Sequence, residues 1–483
     1  MSAQDAKESS ISKGAYYLFV GNFVSTFVLA SSSIIIGRLL GPDTYGLYTI
    51  ALIIPSYGYL FLRLGLPSTL TRYTAKYVSE GDEKKAVSFS YTINLLHFVL
   101  GLLCVSVLFP FSNILSRTLF HRSELSSGLI MPIASVSVVG QILFNNGSSS
   151  FVGLGSFRRS AIVQVVRAAA SLVVAVTLLL LGYSLLGAII GYTSSFVVAG
   201  LISLFLLILL NNGFLPSNVK ESVKTSIGYS PAIYLSSVLL FIIVPVQNSI
   251  LAYAVTNNEI GLYVAAVNIA SLIALFVYPI QTAVLPLFSK TMNRGITELS
   301  NTFRMSIKYA ALLVTPVAVF VITFSRPLVI SIFGEPYQLG SSYLMAFAVA
   351  SLLIGVGGAS ADPFLYGIGE TRKVLIANAT GSATSILLSA ALVSNRGLRH
   401  NNWNYRRKRS ISFDCFVVHI NNPLNKIEDL VCLENLLVFR SKCSYPLPAF
   451  VACSKPISHL GYLWHTLCPN SNPNYVLDKS TYD

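Results

Sequence analysis

Gly46-Leu47-Tyr48, in the turn after the first apolar run, returns as Gly261-Leu262-Tyr263, and Gly153-Leu154-Gly155 with Arg158-Arg159 returns as Gly367-Ile368-Gly369 with Arg372-Lys373. The first pair is displaced by 215 residues and the second by 214. Two independent landmarks that keep one spacing indicate a duplicated unit. With 53% hydrophobic and only 11% charged residues over 483 positions, the composition rules against a soluble globule. The duplicated unit is therefore a bundle of membrane helices, an arrangement common in transporters, where the substrate path runs between the two halves.

Outward from the landmarks, apolar runs long enough to span occur near 15–37, 47–70, 88–110, 128–152, 161–182, 184–210, 228–254, 260–288, 306–326, 342–366 and 374–394. Polar or Gly/Pro turns bound each of them. The expected fold class is all-α integral membrane, with about eleven transmembrane helices in two parallel-repeat bundles. The polar start, MSAQDAKESSISKG, leads into a span too long for a signal-peptide core, so it reads as a retained first helix.

A net charge of +14 raises the question of nucleic acid. The Lys and Arg are instead spread over short loops, with no basic stripe interleaved with aromatics, and topology explains them better. With the N-terminus cytoplasmic, the inside loops hold seventeen Lys and Arg, Arg167 counted among them, against Arg38, Arg117, Arg122 and Arg326 outside. Six helices, an even number, separate the two copies of each landmark, so both halves insert in the same direction. The expected division is residues 1–210 as the first six-helix bundle, 211–225 as a cytoplasmic linker carrying Pro216, Lys220 and Lys224, and 226–394 as a second bundle of five helices.

Residues 395–483 form an atypical, non-membrane tail. It opens with Arg399, His400 and the run Arg406-Arg407-Lys408-Arg409, and holds both Trp, four of the six His and five of the six Cys, leaving only Cys104 before it. So abrupt a change of composition points to a shifted reading frame, a divergent genuine tail being the alternative. Cys443, Cys453, His459, His465 and Cys468 fit no compact zinc-ligand spacing.

Ionisable groups inside the bilayer carry the most functional information, because each costs at least about 2.5–3.5 kcal/mol at the centre unless it faces water or a partner. Arg63, within Leu60-Phe61-Leu62-Arg63-Leu64-Gly65, is the first candidate: a cavity cation for an anionic substrate group, with a snorkelling or paired Arg as the structural alternative. Asp362, before Pro363, is a candidate ion-coupling site or a partner for Arg63; its alternative is a polar residue beside a proline kink. His97 reads more simply as a hydrogen-bonded interior residue than as a proton relay. Polar clusters lie in the first span around Asn22, Ser25 and Ser33, in the fourth around Gln141, Asn145 and Asn146, and in the seventh around Gln247, Asn248 and Ser249. They serve either as a wet cavity lining or as glue between helices. Arg63, Asn22, Asn146, Gln247 and Asn248 are the candidate substrate-binding residues.

Enzyme chemistry has little to stand on. Before residue 395 the Asp residues are Asp5, Asp43, Asp82 and Asp362, with no Asp-x-Asp pair, no His-Glu-x-x-His and no Walker-type loop. No cofactor and no metal are expected.

Arg38-Leu39-Leu40-Gly41-Pro42-Asp43-Thr44-Tyr45-Gly46-Leu47-Tyr48 and Gly65-Leu66-Pro67-Ser68-Thr69-Leu70-Thr71-Arg72-Tyr73, with Phe151–Arg159 and Tyr366–Gly369, resemble the polysaccharide biosynthesis flippase family over about residues 10–394. Its superfamily includes the multidrug and toxin extrusion proteins and the lipid II flippases. The resemblance implies two lobes of helices around a central cationic cavity and a lipid-linked sugar of polyprenyl phosphate or pyrophosphate type as cargo. It also implies alternating access by rocking of the lobes, a plasma-membrane location, and polysaccharide-assembly proteins as partners. The chain departs from the family by stopping one helix short. A cation-coupled drug antiporter and a membrane glycosyltransferase or ligase are the rivals; the first wants a deep carboxylate, the second a large outside loop with paired carboxylates.

Overall fold

The computed structural model describes residues 3–120, 123–126, 128–211, 219–353 and 358–397, all within one compact unit, Met1–Ile427. Among them the regular elements are helices, without a strand. The tail from residue 398 lies outside the described residues, and with it the proposed frame change and the Cys and His of the zinc question.

Helix α1 (Ala3–Ala51) is interrupted at Gly41, whose φ of 71° ends the first crossing just before Pro42. The second crossing, expected as one run over 47–70, continues as α2 (Ile53–Leu62), breaks at Arg63-Leu64-Gly65 and resumes as α3 (Leu66–Ser79). Leu64 and Gly65 both lie in the left-handed region, at φ 47° and 68°, which an α-helix cannot accommodate. Pro67, needing no N–H partner in a first turn, restarts the helix. The first half is completed by α4 (Glu83–Phe120), the short α5 (Ser123–Ser126), α6 (Ile130–Gly153), α7 (Phe157–Leu180) and α8 (Ser184–Asn211).

In the second half, α9 (Val219–Phe241) and α10 (Ile243–Ala254) meet at a break at Ile242. Thr256 then caps α11 (Asn257–Ser271), its side chain accepting from the Glu259 N–H while the Glu259 carboxylate accepts from the Thr256 N–H. There follow α12 (Ala274–Thr291), α13 (Ile296–Thr323), α14 (Ser325–Phe333), α15 (Ser341–Leu353), α16 (Ala359–Gly367) and α17 (Thr371–Gly397). Among the described residues, seven helical stretches are long and apolar enough to cross a membrane. Tyr16–Leu62 counts as one stretch over two of the eleven runs in the sequence, and the run over 260–288 is built from two shorter helices, α11 and α12.

The duplication is visible in the packing. A Cβ at Gly153 would stand 3.2 Å from the Leu70 carbonyl oxygen, and one at Gly367 would stand 3.3 Å from that of Leu285. Leu70 and Leu285 are separated by the repeat spacing, so equivalent glycines pack on equivalent carbonyls. At the end of the bundle that bears Pro42, a Cβ at Gly46 would overlap the Asn257 carbonyl, and one at Gly261 would overlap that of Pro42. Only glycine permits backbones this close, and the two landmarks thus grip each other across the halves.

Candidate functional site

The break in the second crossing leaves backbone polar groups that must find partners inside the membrane. The Leu62 carbonyl is met by His97 of α4, whose Nε2 lies 2.7 Å away, and the other ring nitrogen, Nδ1, lies 2.7 Å from Asn146 Nδ2 of α6. A carbonyl only accepts, so Nε2 carries the proton and Nδ1 accepts from the amide. His97 is thereby a neutral strut that ties the broken helix to two neighbours. It is fully occupied, as its reading as an interior hydrogen-bonded residue expects.

Arg63 sits in the break itself, half-buried, its guanidinium carbon 4.3 Å from the centroid of the Phe241 ring. Phe241 is the last residue of α9, immediately before the second half's own break. The two interrupted crossings therefore face each other at their interruptions, with a cation laid between them. Tyr234 of α9 donates its hydroxyl to the Phe61 carbonyl at 3.1 Å, and the Tyr57 hydroxyl lies 3.2 Å from Ser249 Oγ of α10. Among the described residues neither Arg63 nor Asp362 is in an ion pair.

The other sequence candidates fall into place around this centre or away from it. Asn146 joins it through His97. Gln247 is buried and Asn248 half-buried on α10, one helix turn or less from Ser249. Asn22 lies on an exposed face of α1, where its carbonyl accepts from Ser25 at 3.0 Å; no hydrogen bond joins it to Arg63 among the described residues. Asp362 is half-buried in α16, which packs on α12, α13 and α17 rather than on α2. The structure does not make it the partner of Arg63.

Much of the remaining polar content of the first span is glue. Ser33 Oγ lies 2.7 Å from the Tyr45 hydroxyl, and Asn268 Nδ2 of α11 reaches them at 2.9 and 2.8 Å. Tyr337 donates its hydroxyl to the Gly37 carbonyl at 2.6 Å.

Arg167, expected in an inside loop, lies instead well within α7, about 15 Å along the axis from Phe157 at 1.5 Å per residue. The signal was present, since Arg167 follows Gln164-Val165-Val166 inside the run expected over 161–182; the nearby Arg158-Arg159 pair drew it into the loop.

At the opposite end from Gly46, the halves meet through side chains. Lys85 Nζ lies 2.9 Å from Glu221 Oε1, Thr69 and Ser230 are 3.0 Å apart, and the Arg72 guanidinium lies 4.1 Å from the Tyr229 ring centroid. A cavity of about 410 Å³ opens there, lined by Tyr77, Lys84, Lys85 and Glu221 among others.

The family model described as "Polysaccharide biosynthesis protein" matches residues 35–340. No curated protein matches the sequence. Among solved structures, an inward-facing multidrug resistance MATE family transporter of the MOP superfamily is similar at 20% identity and a TM-score of 0.66, over 87% of this chain and 96% of that one. The lipid II flippase MurJ in an inward closed conformation gives a TM-score of 0.66 at 14% identity, over 89% of this chain and 93% of that one. A MOP superfamily transporter from Pyrococcus furiosus, described by the reverse polarity of its binding pocket, gives 0.58 at 20% identity, over 90% and 96%. At these identities the likeness establishes the fold.

Proposed function

The chain belongs to the polysaccharide biosynthesis protein family, and from that premise we propose that it carries a lipid-linked oligosaccharide or polysaccharide precursor across the plasma membrane by alternating access. Its cargo is of polyprenyl phosphate or pyrophosphate type. The observation that carries the reading is Arg63: a guanidinium at the meeting of two broken crossings, held over Phe241 and without a carboxylate among the described residues. A cation–π contact returns about 0.5–2 kcal/mol, less than an intramembrane cation costs, so the site favours water when empty and an anionic headgroup when filled.

The division into residues 1–210, 226–394 and a connecting segment supplies the moving parts, and the cargo passes between them. Gly46 and Gly261 close one end of the interface, while Lys85–Glu221 and Thr69–Ser230 tie the other. The same fold serves multidrug extrusion, but a cation at the centre is the wrong sign for cationic drugs. No covalent bond changes in this process, so the protein acts as a carrier and not as an enzyme.

The test is reconstitution in liposomes with a fluorescent polyprenyl pyrophosphate oligosaccharide and an impermeant quencher. Wild-type protein should equilibrate the lipid between leaflets, Arg63→Ala should not, and Arg63→Lys should keep partial activity as a point charge. Efflux of a cationic dye without lipid movement would give the function to the antiporter reading.

A further inference from the structure

Arg167 is the second cation inside the first half, and it lacks what a structural arginine normally has. Its guanidinium carbon lies 4.8 Å from the Phe196 ring centroid and 5.0 Å from that of Phe144. Its Nε is buried without a hydrogen-bond partner, and no carboxylate pairs with it among the described residues. Two aromatic faces hold the plane of the group but accept none of its five N–H donors along the hydrogen-bonding edge. A guanidinium boxed in this way, within a membrane helix, is arranged for an acceptor that arrives from outside.

The groups beside it are donors as well. Tyr192 of α8 packs edge-on against Phe196, with centroids 5.1 Å apart, and against Tyr48 at 6.5 Å. Tyr192 lies within electrostatic reach of both Arg167 and Tyr59, and Tyr59 of Arg63, one helical turn further along. The side-chain hydroxyls of Tyr59 and Tyr192 take no hydrogen bond among the described residues, and both residues are half-buried. Arg167, Tyr192, Tyr59 and Arg63 thus follow one another in electrostatic reach, with a guanidinium at each end.

We propose that Arg167, with the hydroxyls of Tyr59 and Tyr192, forms a second oxyanion subsite within the first half of the chain, which holds one phosphoryl or carboxylate group of the cargo while Arg63 holds another. Arginine offers paired donors to the two oxygens of such a group, and phenol hydroxyls complete the set without adding charge. Two guanidinium groups in one half offer charge for a diphosphate, or for a phosphate followed by an acidic sugar. The identity of the cargo rests on the reading above; the subsite itself does not.

Full-length protein in nanodiscs is titrated with inorganic pyrophosphate and, separately, with D-glucuronate, by calorimetry and by melting temperature. Wild-type protein should bind pyrophosphate saturably. Arg167→Gln should weaken binding by about 10-fold or more, and Tyr192→Phe, which keeps the ring packing, by several-fold. Tighter binding of glucuronate than of pyrophosphate, with the same dependence on Arg167, assigns the subsite to an acidic sugar; the reverse assigns it to the phosphates. Absence of saturable binding of both anions, or wild-type affinity in Arg167→Gln, overturns the subsite. If Arg167→Gln does not reconstitute, Arg167→Lys and Tyr192→Phe decide, and unchanged affinity in both overturns it. Binding that depends on Arg167 in a protein that moves no lipid-linked sugar leaves the subsite standing and removes the proposed cargo. Lipid movement with Arg167→Gln binding as the wild type does removes the subsite and leaves the cargo.

Discussion

Asp43 and Asn258 meet each other side chain to side chain, Asn258 Nδ2 donating to Asp43 Oδ2 at 3.4 Å, and they stand 215 residues apart. That separation is the repeat spacing of Gly46 and Gly261. A residue touches its own counterpart only where the local twofold axis passes, so the axis relating the halves emerges at this end of the bundle, as parallel repeats require. Alternating access then demands that this contact open and close. With the other cysteines replaced, Asp43→Cys with Asn258→Cys should react with a short reducible bifunctional thiol reagent, and lipid movement should stop until the bridge is reduced. Full activity of the bridged protein would show that this end does not open.

The glycines beside the axis set how closely that end shuts. Any Cβ at Gly46 or Gly261 meets a carbonyl of the other half. Gly46→Ala and Gly261→Ala should each destabilise the closed end by about 1–3 kcal/mol, the usual cost of overpacking. The measurement is the labelling rate of a cysteine placed at Thr256, which should rise in both variants. An unchanged rate with an unchanged melting temperature would mean that the backbones separate without cost.

His97 supports the break that displays Arg63. Replacing it by Phe leaves the Leu62 carbonyl and the Asn146 amide without their partner, which should cost about 1–3 kcal/mol in thermal stability. His97→Gln, able to donate and accept, should recover part of the loss. Equal melting temperatures for His97→Phe and wild type would remove the strut from the account.

The helices and their duplication were legible in the sequence because long apolar runs and a fixed spacing between landmarks are one-dimensional signals. The break at Arg63-Leu64-Gly65 was not, since Leu60 to Leu66 reads as an apolar run with one charge, and the partner of the Leu62 carbonyl, His97, comes from a distant helix. Which face of a membrane helix turns inward is equally hard to read when all faces are apolar. Asn22 and Asn146 look alike in sequence, yet one is exposed and the other buried on His97. Arg167 was assigned to the wrong environment because charge counting attributes a basic residue to the nearest loop, whereas α7 begins at Phe157 and carries it inward.

Orientation is the next prediction. The Lys/Arg bias places Lys220 inside and the α10–α11 turn outside. In intact cells, a cysteine at exposed Thr256 should react with an impermeant thiol reagent, and one at exposed Lys220 should not. Labelling at Lys220 alone would reverse the topology, and removing Arg167 from the loop count does not change the bias.

The two ends of the interface are built from different materials, and they should respond differently to charge. The end at Gly46 is held by close backbone contacts, with the Asp43–Asn258 hydrogen bond beside them. The end at Lys85 is held by an ion pair in which both side chains are substantially exposed, beside a hydroxyl pair and an arginine over an aromatic ring. Exposed ion pairs contribute little, because water screens them and ordering two long side chains costs entropy. A change at Lys85–Glu221 should therefore shift populations by no more than about fivefold and should not unfold the protein. Spin labels at Lys76 and Lys224, both exposed, would report the separation of the halves at that end. Lys85→Glu should enlarge the population with a long distance, and Lys85→Glu with Glu221→Lys should return it to the wild-type distribution. If the single reversal leaves the distances unchanged, the ion pair plays no part in gating, and the Thr69–Ser230 and Arg72–Tyr229 contacts must hold this end without it.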